Sequence, residues 1–113
     1  MSKRDTALLI QDMLMACERI TQYVSGMAYD EFVNDFKTVD ATVRNIQILG
    51  EAANQVPKEF QTAKVQIEWT KIIRSRHILV HQYFELDHNI IWRITQDYIP
   101  PLLQNLTELI KRN

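Results

Sequence analysis

The sequence predicts an all-α fold, a bundle of about four to five helices. Only two glycines and three prolines occur among the 113 residues, which is too few turn formers for a β-sandwich or barrel. Apolar residues recur at steps of three and four, the spacing that gives a helix one buried face. The length suits one domain over residues 1–113, and so short a chain leaves surface that a dimer could bury.

The first helix is expected to begin at a capping residue, Asp5 or Thr6, and to stop at Gly26. A short amphipathic turn, YDEFVNDF, follows it and ends near Lys37. Because Cys17 is the only cysteine, a disulfide within the chain and a cysteine-based zinc site are both excluded. Its place on the apolar stripe indicates a buried thiol. The stripe consists of Ile10, Met13, Cys17, Ile20 and Val24.

A second long helix is predicted to open at Thr38 or Asp40 and to end at Pro57. Gly50 lies inside its apolar stripe, where glycine costs about 1 kcal/mol against alanine. The usual compensation is the close approach of another helix, which predicts tight packing at this point. The stripe consists of Val39, Val43, Ile46, Leu49, Ala53 and Val56.

The second half of the chain is predicted to contain a polar connection and two further helices. Residues 58–68 form the connection, and a third helix runs from Trp69 to about Tyr83. Pro100 and Pro101 fall in the middle of the last helix, so a kink or a break is expected there. Leu86 and Asp87 resemble a turn and cap before it, and its apolar positions are Ile91, Ile94, Tyr98, Leu102 and Leu109.

Charge and hydropathy narrow the class of function. The net charge is −1 and the sequence pI about 6.3, so contact with nucleic acid must come from a local basic patch. No stretch approaches the length of a membrane span. Charged and amide residues interrupt the apolar run near the N-terminus, which is unlike a secretion signal. The protein is therefore expected to be cytoplasmic and to have no membrane partner.

The most basic window lies in the predicted third helix, where residues 69–84 include no acidic residue. His77 and His81 are spaced i, i+4 and share one face, and Arg74 joins this stripe. Arginine offers a fork of donors for phosphate oxygens, and histidine can give or take a proton near neutral pH. One interpretation of the window is a solvent-exposed basic helix face without a specific function. The other is a site for phosphate chemistry. The basic residues are Lys71, Arg74, Arg76, His77 and His81.

A metal site is a further interpretation of the two histidines, because such a pair can hold zinc. A third ligand would have to come from Glu85 or His88, beyond the predicted helix end. No glutamate follows the first histidine as a metalloprotease requires, and Arg74 and Arg76 would repel a divalent ion. The sequence therefore predicts neither a metal nor another cofactor.

The stretch RHILVHQYF, residues 76–84, resembles the Arg-x4-6-His signature of HEPN-superfamily ribonucleases in its form Arg-x4-His-x-Tyr. Arg76, His81 and Tyr83 supply that form, while Arg74 fits the looser spacing to His81. The resemblance extends to TVDATVRNIQILGEAANQVP, VQIEWTKI and LDHNIIWRITQDYIPPLL, which are similar to successive segments of HepT-like proteins. It spans most of residues 5–110. Relatives often carry Gly-Met before the motif arginine, where this chain has Arg74-Ser75.

This resemblance implies a HEPN-like, dimeric helical bundle in which two motifs meet in one cleft. It implies a metal-independent endoribonuclease toxin of a toxin–antitoxin pair, with RNA as substrate and a small MNT-type nucleotidyltransferase as antitoxin. By the same resemblance Arg76 holds the scissile phosphate and His81 is the acid or base, with Arg74 and His77 as auxiliary residues. Tyr83 is the residue to which the antitoxin transfers AMP.

Two other functions compete with the ribonuclease. Related helical bundles act as noncatalytic, substrate-binding partners of nucleotidyltransferases, and a structural domain could use the basic helix to contact an acidic partner. The intact Arg-x4-His-x-Tyr pattern favours the ribonuclease, because a pure binding module has no need of it.

Overall fold

A computed structural model describes residues 4–81 and 87–111 of the chain, and within the first range it describes the side chains of residues 4–76. All regular structure in these residues is helical, which confirms the all-α prediction. A π-turn joins α6 to α7, so residues 88–111 form one continuous helix and the described chain has six. The elements are α1 Thr6–Val24, α2 Tyr29–Val33, α3 Phe36–Gln55, α4 Lys58–Ala63, α5 Trp69–His81, α6 His88–Arg93, the π-turn Ile94–Tyr98 and α7 Ile99–Lys111.

Side-chain caps explain where two of the long helices begin. The Asp5 carboxylate accepts a hydrogen bond from the Ala7 amide at 2.9 Å, which confirms one of the two predicted caps of α1. The prediction that the second helix opens at Thr38 or Asp40 is wrong, because α3 begins at Phe36. Asp35 lies just before it and accepts from the backbone amide of Thr38 at 3.2 Å.

The predicted polar connection over residues 58–68 contains a helix of its own, α4, which is one reason why the helices outnumber the expected four to five. Pro57 does not simply end the preceding helix, since α3 already ends at Gln55. It instead lies at the N-cap of α4, where its missing N–H costs little because the first amides of a helix have no partner within the helix.

The core lies where α1 packs on α3 and α7, and α5 also packs on α3. Every position of the predicted α1 stripe is buried, and so is the α3 stripe apart from the half-buried Val43. Burial of such stripes stabilises the fold by roughly 25 cal/mol per Å² of apolar surface removed from water. None of the helices in the described chain is long and apolar enough to cross a membrane.

The two prolines of the last helix neither end it nor separate it into two elements. The helix widens before them into the π-turn, where the Ile99 amide bonds to the Ile94 carbonyl five residues back. This extra residue shifts the buried face by one position, so Thr95 and Ile99 point inward. Tyr98 is 45 % exposed, and its predicted place on the apolar stripe is wrong for this reason.

Candidate functional site

The basic helix α5 lies unusually close to α3, and Gly50 permits that approach. A Cβ atom built on Gly50 would lie 2.8 Å from Cβ of Arg76 and 3.0 Å from the Ile72 carbonyl oxygen, distances that no real side chain tolerates without movement. The expected compensation for a glycine inside a helix is therefore present. The contact also falls on Arg76, so the position of the motif arginine depends directly on the absence of a side chain at residue 50.

An ion pair anchors the Arg76 side chain against α3. Nη1 of Arg76 donates to Oε2 of Glu51 at 2.5 Å. The arginine side chain is 20 % exposed and the glutamate 58 %, which places the pair at the outer edge of the seam between the helices. A carboxylate beside a guanidinium fixes the direction of its fork of donors. Glu51 was not among the predicted site residues, although its position next to Gly50, where close packing was predicted, was a usable signal.

The described part of α5 continues through His77 to His81, so both histidines of the basic window lie on the same helix as the arginines. Their side chains, and the whole of Tyr83, lie outside the described residues. Helix geometry puts His81 almost two full turns, roughly 10 Å, beyond Arg74, and roughly 140° around the axis from Arg76. Arg74 thus shares a stripe with His81, whereas Arg76 belongs to the face that packs on α3.

Arg74 is exposed and borders a cavity of about 360 Å³ between α5, α3 and the last helix. The buried side chains Ile46, Leu49 and Leu102 line it, and Tyr98 stands on the side of the last helix. Lys71 also borders this cavity, with its Nζ atom 5.4 Å from the centroid of the Tyr98 ring.

Lys71 is held at that place by an acidic neighbour. Its Nζ atom lies 3.1 Å from Oε2 of Glu68, one helical turn earlier. The hydrogen bond and the charge of Glu68 raise the pKa of Lys71. The lysine therefore stays cationic at the mouth of the cavity.

The described residues contain no group of three His, Cys, Asp or Glu side chains that could hold a metal ion. The side chains of His77 and His81, together with Glu85, lie outside the described part of the chain, so the absence of a metal stays a prediction. Cys17 is fully buried, and burial raises the pKa of its thiol to about 12. This agrees with the expected buried thiol and gives no support to a nucleophile at this position.

Comparison with known proteins identifies relatives along almost the whole chain. Residues 13–109 match the family described as "Ribonuclease HepT-like". The "Putative RNase MJ0127" of Methanocaldococcus jannaschii is 32 % identical over 98 % of this chain and 92 % of its own length. The "Probable ribonuclease HepT" of Thermococcus cleftensis is 30 % identical over 96 % of this chain and 99 % of its own. No solved structure matches the chain significantly.

Proposed function

The chain belongs to the HepT-like ribonuclease family, and from that premise we propose that it is a metal-independent endoribonuclease whose motif is Arg76, His81 and Tyr83. The observation that carries the proposal is the anchoring of Arg76, which Glu51 and the close contact at Gly50 hold in one place on the motif helix. A residue that binds the scissile phosphate needs such a fixed position, because catalysis depends on preorganised charge.

The reaction is a transfer of the phosphodiester within the RNA itself. The ribose 2′-oxygen loses its proton to a base and attacks the phosphorus, forming the P–O2′ bond. The P–O5′ bond breaks, and an acid gives a proton to the leaving 5′-oxygen. The guanidinium of Arg76 stabilises the negative charge that builds up on the phosphoryl oxygens, with Arg74 as an auxiliary cation on the histidine stripe.

His81 supplies the proton transfers, because an imidazole titrates near neutral pH. One histidine cannot be base and acid at the same moment, so the proposal includes a homodimer in which two copies of His81 face one cleft. His77, one turn earlier on the same stripe, is proposed to orient the substrate. The protein needs no metal in this mechanism, since the 2′-hydroxyl replaces a metal-activated water.

We further propose a toxin–antitoxin role in the cytoplasm, with an MNT-type nucleotidyltransferase as the partner. Transfer of AMP from ATP to the Tyr83 hydroxyl, which releases pyrophosphate and the hydroxyl proton, would place a nucleotide with its charged phosphate beside the site. The added negative charge would repel an RNA backbone, which explains how the modification could silence cleavage. Mass spectrometry of the protein after incubation with that enzyme and ATP would find the added AMP on Tyr83, and Tyr83→Phe would remain unmodified.

Incubation of the purified protein with total RNA, with and without EDTA, tests the ribonuclease. Wild-type protein should cleave in both conditions, and His81→Ala should not. His88→Ala is the matched control, since His88 is the third histidine and lies on α6 outside the motif. Cleavage by His81→Ala, or cleavage that EDTA abolishes, would contradict the proposal.

Substitution of the motif arginine separates the ribonuclease from a domain that merely binds an acidic partner. Arg76→Lys keeps the charge but loses the fork of donors that grips two phosphoryl oxygens. We expect cleavage to fall by roughly tenfold or more. A domain that uses only the positive charge of the helix would tolerate the change.

A further inference from the structure

We propose that the cavity between α5 and the last helix is a subsite for one nucleotide of single-stranded RNA, with its base against Tyr98 and its phosphate drawn to Arg74 and Lys71. The inference rests on the proposed function and deepens it, because it says which surface outside the Arg-x4-His motif grips the substrate. The cavity holds about 360 Å³, which lies within the usual range for small-molecule pockets.

The lining of the cavity suits a base. Its apolar floor is formed by Ile46, Leu49 and Leu102, all buried. Gln66 and Asn105 border it and bring amide groups that can donate to and accept from a base edge. The side-chain amide of Asn105 already donates to the backbone carbonyl of Gln66 at 3.3 Å, which holds the Asn105 amide at this border. An apolar floor with a few polar groups at the edge is the usual design of a ligand pocket.

Tyr98 reaches the cavity because of the π-turn. Without the extra residue, the apolar period of the helix would carry Tyr98 onto the buried stripe, but the turn buries Ile99 and leaves Tyr98 45 % exposed at the cavity. π-turns inside helices occur often at functional sites. An exposed aromatic ring offers a stacking surface for any base, and such stacking tolerates sequence differences.

The charge at the cavity suits a phosphate. Lys71 and Arg74 border it with one acidic side chain, Glu68, whereas the whole chain carries a net charge of −1. Both cations lie on α5, the helix that carries the motif. Arg74 precedes His81 by two turns on one stripe, so a strand that passes the motif would reach Arg74 with a neighbouring nucleotide.

A second copy of the chain is the competing occupant, and the charge argues against it. Lys71 and Arg74 would both lose water on burial against protein. Glu68 already offsets part of this cost for Lys71, but Arg74 would need a matched acidic group on the second copy. An RNA strand brings its own phosphates to these cations and its own flat bases to the floor. The nucleotide therefore satisfies both features of the cavity at once.

Fluorescence anisotropy of a labelled single-stranded RNA of mixed sequence tests the subsite, in a His81→Ala background so that the RNA is not cut. Tyr98→Leu should weaken binding about tenfold, the order expected for loss of one stacked base. Tyr98→Phe, which keeps the ring, should bind like the parent. The matched control is Phe60→Leu, because Lys64 lies 5.9 Å from that ring in a similar pair that does not border the cavity.

An oligomer of abasic ribose phosphates of the same length supplies the second arm. It carries the same charge without bases, so Tyr98→Leu should leave its binding unchanged. Equal loss for both oligomers, or unchanged RNA binding, would overturn the subsite. A shift from dimer to monomer on Tyr98→Leu, seen in sedimentation, would overturn it in favour of a protein interface.

The same measurements separate failure of the subsite from failure of the proposed function. If wild type cleaves RNA while Tyr98→Leu binds RNA normally, the subsite alone fails. If the His81→Ala parent binds no RNA and wild type cleaves none, the proposed function fails.

Discussion

Gly50→Ala tests the close packing of the motif helix. Alanine at this position adds one methyl group that would lie 2.8 Å from Cβ of Arg76 and 3.0 Å from the Ile72 carbonyl oxygen. The first is the rigid base of a side chain and the second is backbone, so neither can swing away. The whole of α5 has to move outward, or α3 has to bend.

Two effects of opposite sign set the magnitude. Alanine favours the helical backbone over glycine by about 1 kcal/mol. Forcing a methyl group into a packed interface costs about 1–3 kcal/mol. The steric cost exceeds the helical gain over most of this range, so the expected result is a loss of about 1 kcal/mol in the free energy of unfolding. Cleavage should also fall, since the displaced helix carries Arg76.

Denaturant unfolding measures the stability, and a pair of variants at Arg44 supplies the control. Arg44 is exposed and lies in the interior of α3. The difference in the free energy of unfolding between Arg44→Ala and Arg44→Gly therefore gives the helical preference for alanine over glycine without any steric contribution. Replacing glycine by alanine should stabilise the protein at residue 44 and destabilise it at residue 50, so the two changes in the free energy of unfolding should differ by about 2 kcal/mol. Equal differences at the two positions would refute the close contact.

Three other substitutions or modifications test the surroundings of the site. Glu51→Gln should change the free energy of unfolding by less than about 1 kcal/mol, because the ion pair with Arg76 is partly exposed. It should nevertheless slow RNA cleavage roughly tenfold, because Arg76 loses its anchor. Glu59→Gln, on the exposed face of α4, is the control and should leave the cleavage rate unchanged. Cys17, with its pKa raised to about 12 by burial, should react with a thiol reagent at pH 8 roughly a thousandfold more slowly in native than in unfolded protein, because the thiolate is the reacting form, and rapid native labelling would contradict its burial. Asp87→Ala should lower the free energy of unfolding by about 1 kcal/mol, since its carboxylate caps α6 through the Asn89 and Ile90 amides, while Asp87→Asn should retain most of the cap.

Local signals in the sequence were enough to predict most of the helices. Asp5 and Asp87 are caps whose side chains bond the nearest backbone amides, so a few neighbouring residues contain the whole signal. Apolar stripes likewise record which face of a helix is buried. Gly50 could be predicted as a contact because glycine has no other advantage inside a helix.

Contacts between distant residues could not be predicted in the same way. The Arg76–Glu51 pair joins residues 25 positions apart, and only the packing of α5 on α3 brings them together. Asp35 caps α3, although Thr38 or Asp40 was predicted to open this helix, since several polar residues near one helix start offer the same local signal. The π-turn was not predicted, because a regular helical period places Tyr98 on the apolar stripe. The two prolines indicate that the helix is irregular, but they do not indicate which irregularity it has.

The chemical identity of the new RNA ends tests the central claim most directly. A defined single-stranded RNA would be cleaved by wild-type protein in the presence of EDTA, and the product ends would be identified by mass spectrometry. Attack by the ribose 2′-oxygen, with His81 moving the protons and Arg76 holding the phosphate, predicts a 2′,3′-cyclic phosphate on one fragment and a 5′-hydroxyl on the other. A 3′-hydroxyl and a 5′-phosphate would contradict the account, because those ends require attack by water rather than by the RNA itself.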